Sequence, residues 1–207
     1  VLGYLGSVGS MYRPDAYLEF LKISKIKEPH TYGLVVTPDK EVFIKLMREN
    51  CTLDQIKSIK IVTANRNSIP KYIACMDILV AFTNPSYAKI SMSPTKLGEA
   101  FASGVPALCN SGVGDVEKLI NELGAGFVIP NLNLDSLENA ASKIKFLLDF
   151  QICKEICIPV NKDFIIDFKN FVLNKCLLPI KEPIEILLIE RKDYCPHPRS
   201  NGVTDRK

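Results

Sequence analysis

Short apolar runs alternate with longer amphipathic segments along the first 150 residues, and this alternation limits the fold more than any other sequence feature. It predicts strands near 1–5, 32–37, 59–64, 77–83, 105–109 and 126–129. It predicts helices near 14–24, 39–49, 68–75, 94–103, 115–123 and 135–149. Strands that alternate with helices favour βαβ units and a parallel sheet. The predicted fold class is therefore α/β, a Rossmann-like parallel sheet with helices on both faces.

Composition and charge exclude several classes of protein. The chain has 207 residues, 47% of them hydrophobic and 24% charged, as in soluble globular proteins. A net charge of +3 without a basic stripe argues against nucleic acid as a partner. The longest apolar runs, such as residues 78–82, have the length of a strand and are too short to span a membrane.

Seven cysteines are scattered along the chain, most of them inside apolar patterns. This usage indicates buried thiols in a reducing compartment rather than a disulfide framework, so we expect a cytoplasmic protein. Cys153 and Cys157 are spaced for one helix face, but the two histidines, His30 and His197, lie far from them in sequence. We therefore expect no metal site.

Residues 91–115 carry the most informative polar pattern. Ser93 suits a helix N-cap and Pro94 suits the first helical position. Thr95 and Lys96 then occupy the first turn, where free N–H groups and the helix dipole favour an anion. A hydroxyl and an ammonium beside those donors form a plausible cradle for a diphosphate.

Glu99 lies three residues after Lys96, on the same helix face and about 4.5 Å further along the axis. A carboxylate in that position can accept hydrogen bonds from two ribose hydroxyls while phosphates occupy the helix tip. The alternative from these residues alone is a structural N-cap followed by a Lys–Glu pair on the surface.

Two glycine-bearing loops follow other predicted strands, at 6–10 and 110–115. Glycine lets backbone approach a ligand closely, and Asp115 suits the N-cap of the next helix. Loops at the carboxyl ends of parallel strands line the ligand crevice of an open sheet. We therefore expect three polar loops to meet at one edge of the sheet.

These segments resemble the C-terminal, Rossmann-like domain of GT-B glycosyltransferases of the group 1 family. The resemblance is carried by residues 4–10, 69–80, 93–106 and 110–115, which follow the family's order. The spacing of Pro94, Lys96 and Glu99, with Gly104 and Pro106 behind them, is its most specific part. It covers roughly residues 1–130 and implies the C-terminal half of a GT-B fold.

The resemblance implies a glycosyltransferase of hexosyltransferase type, acting in polysaccharide biosynthesis. The enzyme would move a sugar from a nucleoside diphosphate to a glycan or lipid-linked acceptor, with the nucleotide sugar as donor substrate and no cofactor. Glu99 matches the position that holds the donor ribose, while Ser93, Thr95 and Lys96 match phosphate contacts. Asn65 and Arg66 match the loop that meets the nucleobase. The implied donor-binding residues are Gly6, Ser7, Gly9, Arg66, Ser93, Thr95, Lys96, Glu99, Gly112 and Gly114.

The chain departs from the family at two places. Ser91 stands where many retaining members have a glutamate, and only Arg13 follows the first strand where many have an Arg and a Lys. Lys96, Arg13, Lys89 or Arg66 would then meet the phosphate charge. These departures leave open a non-catalytic nucleotide-binding or structural module of GT-B type. An epimerase of the same architecture fits less well, because we find no position for its catalytic carboxylates and histidine.

The ends of the sequence suggest a fragment. Val1 opens directly on a predicted strand, and the acceptor domain that the family places before it is missing. In the family that domain supplies the acceptor and usually the general base, and we expect peripheral association with the inner face of the membrane through it. We predict a donor-binding domain over 1–178, with a last helix near 161–176. Residues 179–207 are predicted as linker, strand (185–190) and tail, either closing this domain or starting another.

Overall fold

The computed structural model describes residues 1–9, 11–84 and 95–144, and its strands and helices follow the predicted alternation. The strands are β1 (Leu2–Leu5), β2 (Gly33–Val36), β3 (Ile59–Val62), β4 (Ile78–Ala81), β5 (Ala107–Asn110) and β6 (Gly126–Ile129). The helices are α1 (Pro14–Lys27), α2 (Lys40–Asn50), α3 (Leu53–Lys57), α4 (Ile69–Ile73), α5 (Thr95–Ala102), α6 (Val116–Leu123) and α7 (Leu134–Ser142). Each predicted strand is present.

The six described strands form one parallel sheet in the order β3–β2–β1–β4–β5–β6. From β1 the chain moves outwards to β3 on one side, and then crosses back to place β4 against the other side of β1. The strand order therefore reverses between β1 and β4. In such sheets the ligand crevice lies outside the carboxyl ends of the strands at that reversal. The α/β, Rossmann-like fold class is confirmed.

Both faces of the sheet are buried, as the apolar strands require. Along β4, Ile78 and Val80 pack into a core that also contains residues of α1, α2 and α7. The alternate residues Leu79 and Ala81 pack into a second core with residues of α4, α5 and α6. The sheet is thus the middle of three layers, and it holds the loops at its edge in fixed relative positions.

Helix α3 is an element that the sequence analysis did not predict. Thr52 and Gln55 form a capping box, in which the Thr52 N–H donates to Gln55 Oε1 at 2.8 Å and the Gln55 N–H donates to Thr52 Oγ1 at 3.4 Å. The helix has only five residues, none of them buried, so it carries no apolar period that could have revealed it.

Several predictions fall outside the described residues. These are the helix near 161–176, the strand at 185–190, and the boundary between 178 and 179. Within the part of the chain that the structure describes, no helix has the length and hydropathy needed to cross a membrane. In the same part, no group of three or more His, Cys, Asp or Glu side chains is arranged to hold a metal ion.

Candidate functional site

The loops that follow β1 and β4 are joined at the edge of the sheet where the strand order reverses. Tyr12 and Thr83 form an isolated antiparallel bridge between them. The Arg13 N–H donates to the carbonyl of Phe82 at 3.1 Å, and the Asn84 N–H donates to that of Met11 at 2.9 Å. The backbone of the first loop is therefore fixed against the end of β4.

Side chains from neighbouring elements hold the β1 loop, residues 6–9. The hydroxyl of Tyr4 donates to the carbonyl of Ser7 at 2.7 Å, and the Val8 N–H donates to Asp39 Oδ2 at 2.7 Å. Gly6 has a φ of +134°, which L side chains rarely adopt. Ser7 and Gly9 remain exposed to solvent. The β1 loop thus exposes two predicted site residues, Ser7 and Gly9, on a backbone that Tyr4 and Asp39 hold in place.

Lys96 extends from the first turn of α5 to the end of β1 and is buried, with 7% of its surface exposed. Its Nζ donates to the carbonyl of Leu5 at 3.2 Å and lies 3.5 Å from the centroid of the Tyr12 ring. Burial lowers the pKa of Lys96 to about 7, because desolvation disfavours the ammonium, while the electrostatic interaction with Cys109 acts in the opposite sense. The site therefore contains a buried amine that titrates near neutral pH.

This position of Lys96 excludes the alternative of a surface Lys–Glu pair. Glu99 is half-buried one turn further along α5. Among the described residues, no ion pair joins its carboxylate to the Lys96 ammonium. Thr95 is exposed at the start of the helix. Ser93 and Pro94 lie outside the described residues. Residues 95–99 of α5 thus carry an exposed hydroxyl, a buried ammonium and a half-buried carboxylate.

The arginines considered for the phosphate charge differ in their surroundings. Arg13 is paired with Asp15, with its Nη2 2.6 Å from Oδ2 and its Nε 2.9 Å from Oδ1. This hydrogen-bonded pair lowers the pKa of the Asp15 carboxyl. Arg66 is exposed in the turn after β3, the edge strand two places from β1, about 10 Å across the sheet. Lys89 lies outside the described residues.

Asn110 is a buried residue at the site that the sequence analysis placed only within a loop. It ends β5, its Oδ1 accepts from the Thr83 N–H at 2.8 Å, and its Nδ2 donates to the carbonyls of Thr83 at 3.0 Å and Ser111 at 3.1 Å. The amide therefore joins the ends of β4 and β5 as a strand backbone would. Its sequence signal is a polar residue directly before a Ser-Gly turn, which is weak because turns commonly contain asparagine.

The β5 loop, residues 111–115, is shaped by its own backbone. Gly112 and Gly114 have φ values of +79° and +46°, in the left-handed region. The hydroxyl of Ser111 donates to the carbonyl of Pro130 at 2.6 Å. Asp115 occupies the N-cap position of α6 as predicted, but its side chain makes no capping hydrogen bond. The turn into α6 therefore uses glycine backbone conformations, and the helix starts without a side-chain cap from Asp115.

The structure thus brings most of the predicted residues to one edge of the sheet. The loops carrying Gly6, Ser7, Gly9, Gly112 and Gly114 follow β1 and β5, and α5 carries Thr95, Lys96 and Glu99. Arg66 stands apart, in the turn that follows the edge strand β3. Tyr12 and Asn110 are additions that the sequence pattern did not single out.

Neither a protein-family model nor a curated protein sequence matches the chain. Solved structures do match its fold. The C-terminal domain of LpcC, a group 1 glycosyltransferase of Francisella tularensis, superposes with a TM-score of 0.54 at 17% identity, over 80% of this chain and 84% of that domain. WaaG, a glycosyltransferase of lipopolysaccharide biosynthesis, gives 0.55 at 18% identity, over 84% of this chain and 42% of WaaG.

A third match is TarM of S. aureus in a complex that contains UDP, with a TM-score of 0.52 at 15% identity. It covers 84% of this chain and 31% of TarM. The chain therefore spans less than half the length of the WaaG and TarM chains. At these identities the likeness concerns the fold, which is that of the C-terminal, Rossmann-like domain of GT-B group 1 glycosyltransferases.

Proposed function

We propose that this chain is the donor-binding half of a glycosyltransferase that moves a sugar from a nucleoside diphosphate to a glycan or lipid-linked acceptor. The observation that carries the proposal is Lys96, a buried cationic side chain beneath the β1 loop at the point where the strand order reverses. Burying an ammonium is costly, so a chain that does so at the ligand edge gains from the positive charge there.

The donor would lie along the edge of the sheet. Its diphosphate occupies the space between the β1 loop and the start of α5, where Ser7 and Thr95 offer hydroxyls and the helix offers free N–H groups. The ribose hydroxyls bind Glu99, one turn along α5. The nucleobase extends towards the turn after β3, which contains Arg66. Gly112 and Gly114 allow the backbone of the β5 loop to approach the sugar or the phosphates.

The proposed chemistry depends on positive charge placed near the leaving phosphate. As the glycosidic bond breaks, negative charge grows on the leaving phosphate, and preorganised donors stabilise it without reorganising. The first turn of α5 and Lys96 supply such positive potential. In the proposed enzyme, a second domain across the cleft binds the acceptor and supplies the general base. The whole enzyme would work in the cytoplasm, with that domain associating with the inner face of the membrane.

TarM, solved in complex with UDP, shares this fold, and this supports a nucleoside diphosphate as the ligand class. Titration calorimetry with UDP, GDP, ADP and dTDP tests the proposal and identifies the nucleotide. We expect weak binding of one of them by the isolated chain, and no transfer of sugar, because only one wall of the cleft is present.

Glu99→Ala removes the acceptor proposed for the ribose, so the binding free energy of that nucleotide should fall by about 1–3 kcal/mol. Glu117→Ala is the matched control, because Glu117 is exposed in the first turn of α6 and lies outside the proposed site. Equal affinities for the wild type, Glu99→Ala and Lys96→Met would overturn the assignment of the site. Binding of none of the four nucleotides would overturn the function itself.

A further inference from the structure

Lys96 is buried without a carboxylate partner among the described residues. Its surface is 7% exposed, and the groups that act on its charge are Cys109 of β5, Tyr4 and the Leu5 carbonyl of β1, and Tyr12 of the following loop. A buried ammonium in such surroundings loses its proton unless other groups stabilise the charge. The groups that stabilise the Lys96 ammonium therefore determine whether the site carries a positive charge.

The Leu5 carbonyl and the Tyr12 ring are the nearest of these groups. The carbonyl accepts one hydrogen bond from Nζ at 3.2 Å, and the centroid of the ring lies 3.5 Å from Nζ. An ammonium over the face of an aromatic ring is attracted by the ring quadrupole, and more strongly when it is desolvated. The ring of Tyr4 is further away, with its centroid 6.0 Å from Nζ. Tyr12 is thus the main aromatic contact of the cation.

The backbone holds Tyr12 in this position independently of Lys96. Tyr12 forms the antiparallel bridge with Thr83, and the residues on either side of it, Met11 and Arg13, are hydrogen-bonded to Asn84 and Phe82. Tyr12 also borders the β1 loop, since a methyl group added to Gly6 would lie 3.4 Å from its ring. The ring therefore lies between the loop and the ammonium on a preorganised support.

We propose that Tyr12 is a positioning residue of the donor site, whose aromatic face keeps Lys96 charged and directed at the Leu5 carbonyl beneath the β1 loop. The functional part of this inference rests on the proposed binding of a nucleoside diphosphate. Lys96 then provides positive potential through the loop to the phosphates. Tyr12 contributes to affinity only at pH values where Lys96 carries its proton.

Tyr12→Leu and Tyr12→Met remove the aromatic face and fill the space with apolar atoms, whereas Tyr12→Phe retains the ring. The first readout is the titration of Lys96 in the ligand-free chain, followed by its 15Nζ and 13Cε chemical shifts and assigned with Lys96→Met. We expect the Phe variant to titrate like the wild type. We expect the Leu and Met variants to titrate about one pH unit lower, since a desolvated cation–π contact of about 1–2 kcal/mol is lost.

The second readout is the affinity for whichever of UDP, GDP, ADP and dTDP binds the wild type. At pH 7, Tyr12→Leu and Tyr12→Met should bind it about fivefold more weakly, and Tyr12→Phe should bind it equally well. At pH 9 all four proteins should bind equally, because Lys96 is neutral in each. A purely structural effect of Tyr12 would weaken binding at both pH values.

An unchanged titration of Lys96 in both ring-free variants would overturn the proposal, as would tighter nucleotide binding, which would mean that the ring blocks the site. If no nucleotide binds the wild type, the proposed function fails, and the titration of Lys96 alone decides whether Tyr12 supports its charge. Amide spectra of each variant establish that it is folded.

Discussion

On the β1 side of the crevice, charged and aromatic side chains from other elements hold the loop, whereas on the β5 side the loop depends on two neutral polar side chains, Asn110 and Ser111, and on its own glycines. Lys96, Asp39 and Tyr4 fix the β1 loop and its preceding strand. Asn110 joins β5 to the end of β4, and Gly112 allows the turn that follows. Both sides are ordered, but by different kinds of groups.

The two sides differ in whether their polar side chains stabilise the fold or provide charge for a ligand. The Asn110 amide is neutral and its buried oxygen and nitrogen are both hydrogen-bonded, so it contributes to stability at every pH. The Lys96 ammonium is charged, with one carbonyl and an aromatic face as its contacts, so it costs stability and offers positive potential. Under the proposed function, an anion bound near Lys96 would use that positive potential.

The largest expected effect is on the β5 side. Asn110→Ala leaves the backbone N–H and carbonyl of Thr83 without the partners that the amide provides. We expect the free energy of unfolding to fall by about 2–4 kcal/mol, measured by urea denaturation. Asn121→Ala is the control, because Asn121 is exposed on α6. Similar small losses for both variants would show that the amide is not a structural link.

On the β1 side, replacing Lys96 is expected to raise the free energy of unfolding, by an amount that depends on pH. Burial lowers the pKa of Lys96 to about 7, below that of a lysine in the unfolded chain, so the unfolded state binds more protons between about pH 7 and 10. The wild type is therefore penalised most at low pH, and the penalty shrinks as the pH rises through that window.

Lys96→Met removes this penalty, so its stability relative to the wild type should be greater at pH 6 than at pH 9. The difference between the two pH values should be on the order of 2–3 kcal/mol, measured by denaturation of both proteins in parallel. A constant difference across this range would mean that Lys96 keeps an ordinary pKa and that its burial has no electrostatic cost.

The smallest expected effect on stability distinguishes Gly112 of the β5 loop from Gly9 of the β1 loop. Gly112 has a φ of +79°, so Gly112→Ala should lower the free energy of unfolding by about 1 kcal/mol. Gly9 is exposed, and a methyl group added there would contact nothing within 4 Å, so Gly9→Ala should change stability little. Thermal melting of both variants checks this. Equal losses would contradict the view that the backbone conformation requires glycine at Gly112 but not at Gly9.

The sheet was predictable because its signals are local. Each strand is a short apolar run between turn residues, and Pro14 marks the start of α1 as predicted. Helix α3 was missed because its five residues, none of them buried, carry no apolar period. The environment of Lys96 could not be read from its neighbours in sequence, since Leu5 and Tyr12 reach it only through the folded sheet. The same holds for Asn110, whose partner Thr83 is 27 residues away.

The central claim is that a nucleoside diphosphate binds at the edge of the sheet between the β1 loop and α5. The most direct test is the 15N amide spectrum of the chain during titration with the nucleotide that binds. We predict the largest shifts at residues 6–9, 95–99 and 112–114, and no shifts at residues 30–32, which precede β2 at the opposite edge. Shifts confined to that opposite edge, or saturable binding without shifts at the β1 loop and α5, would contradict the account.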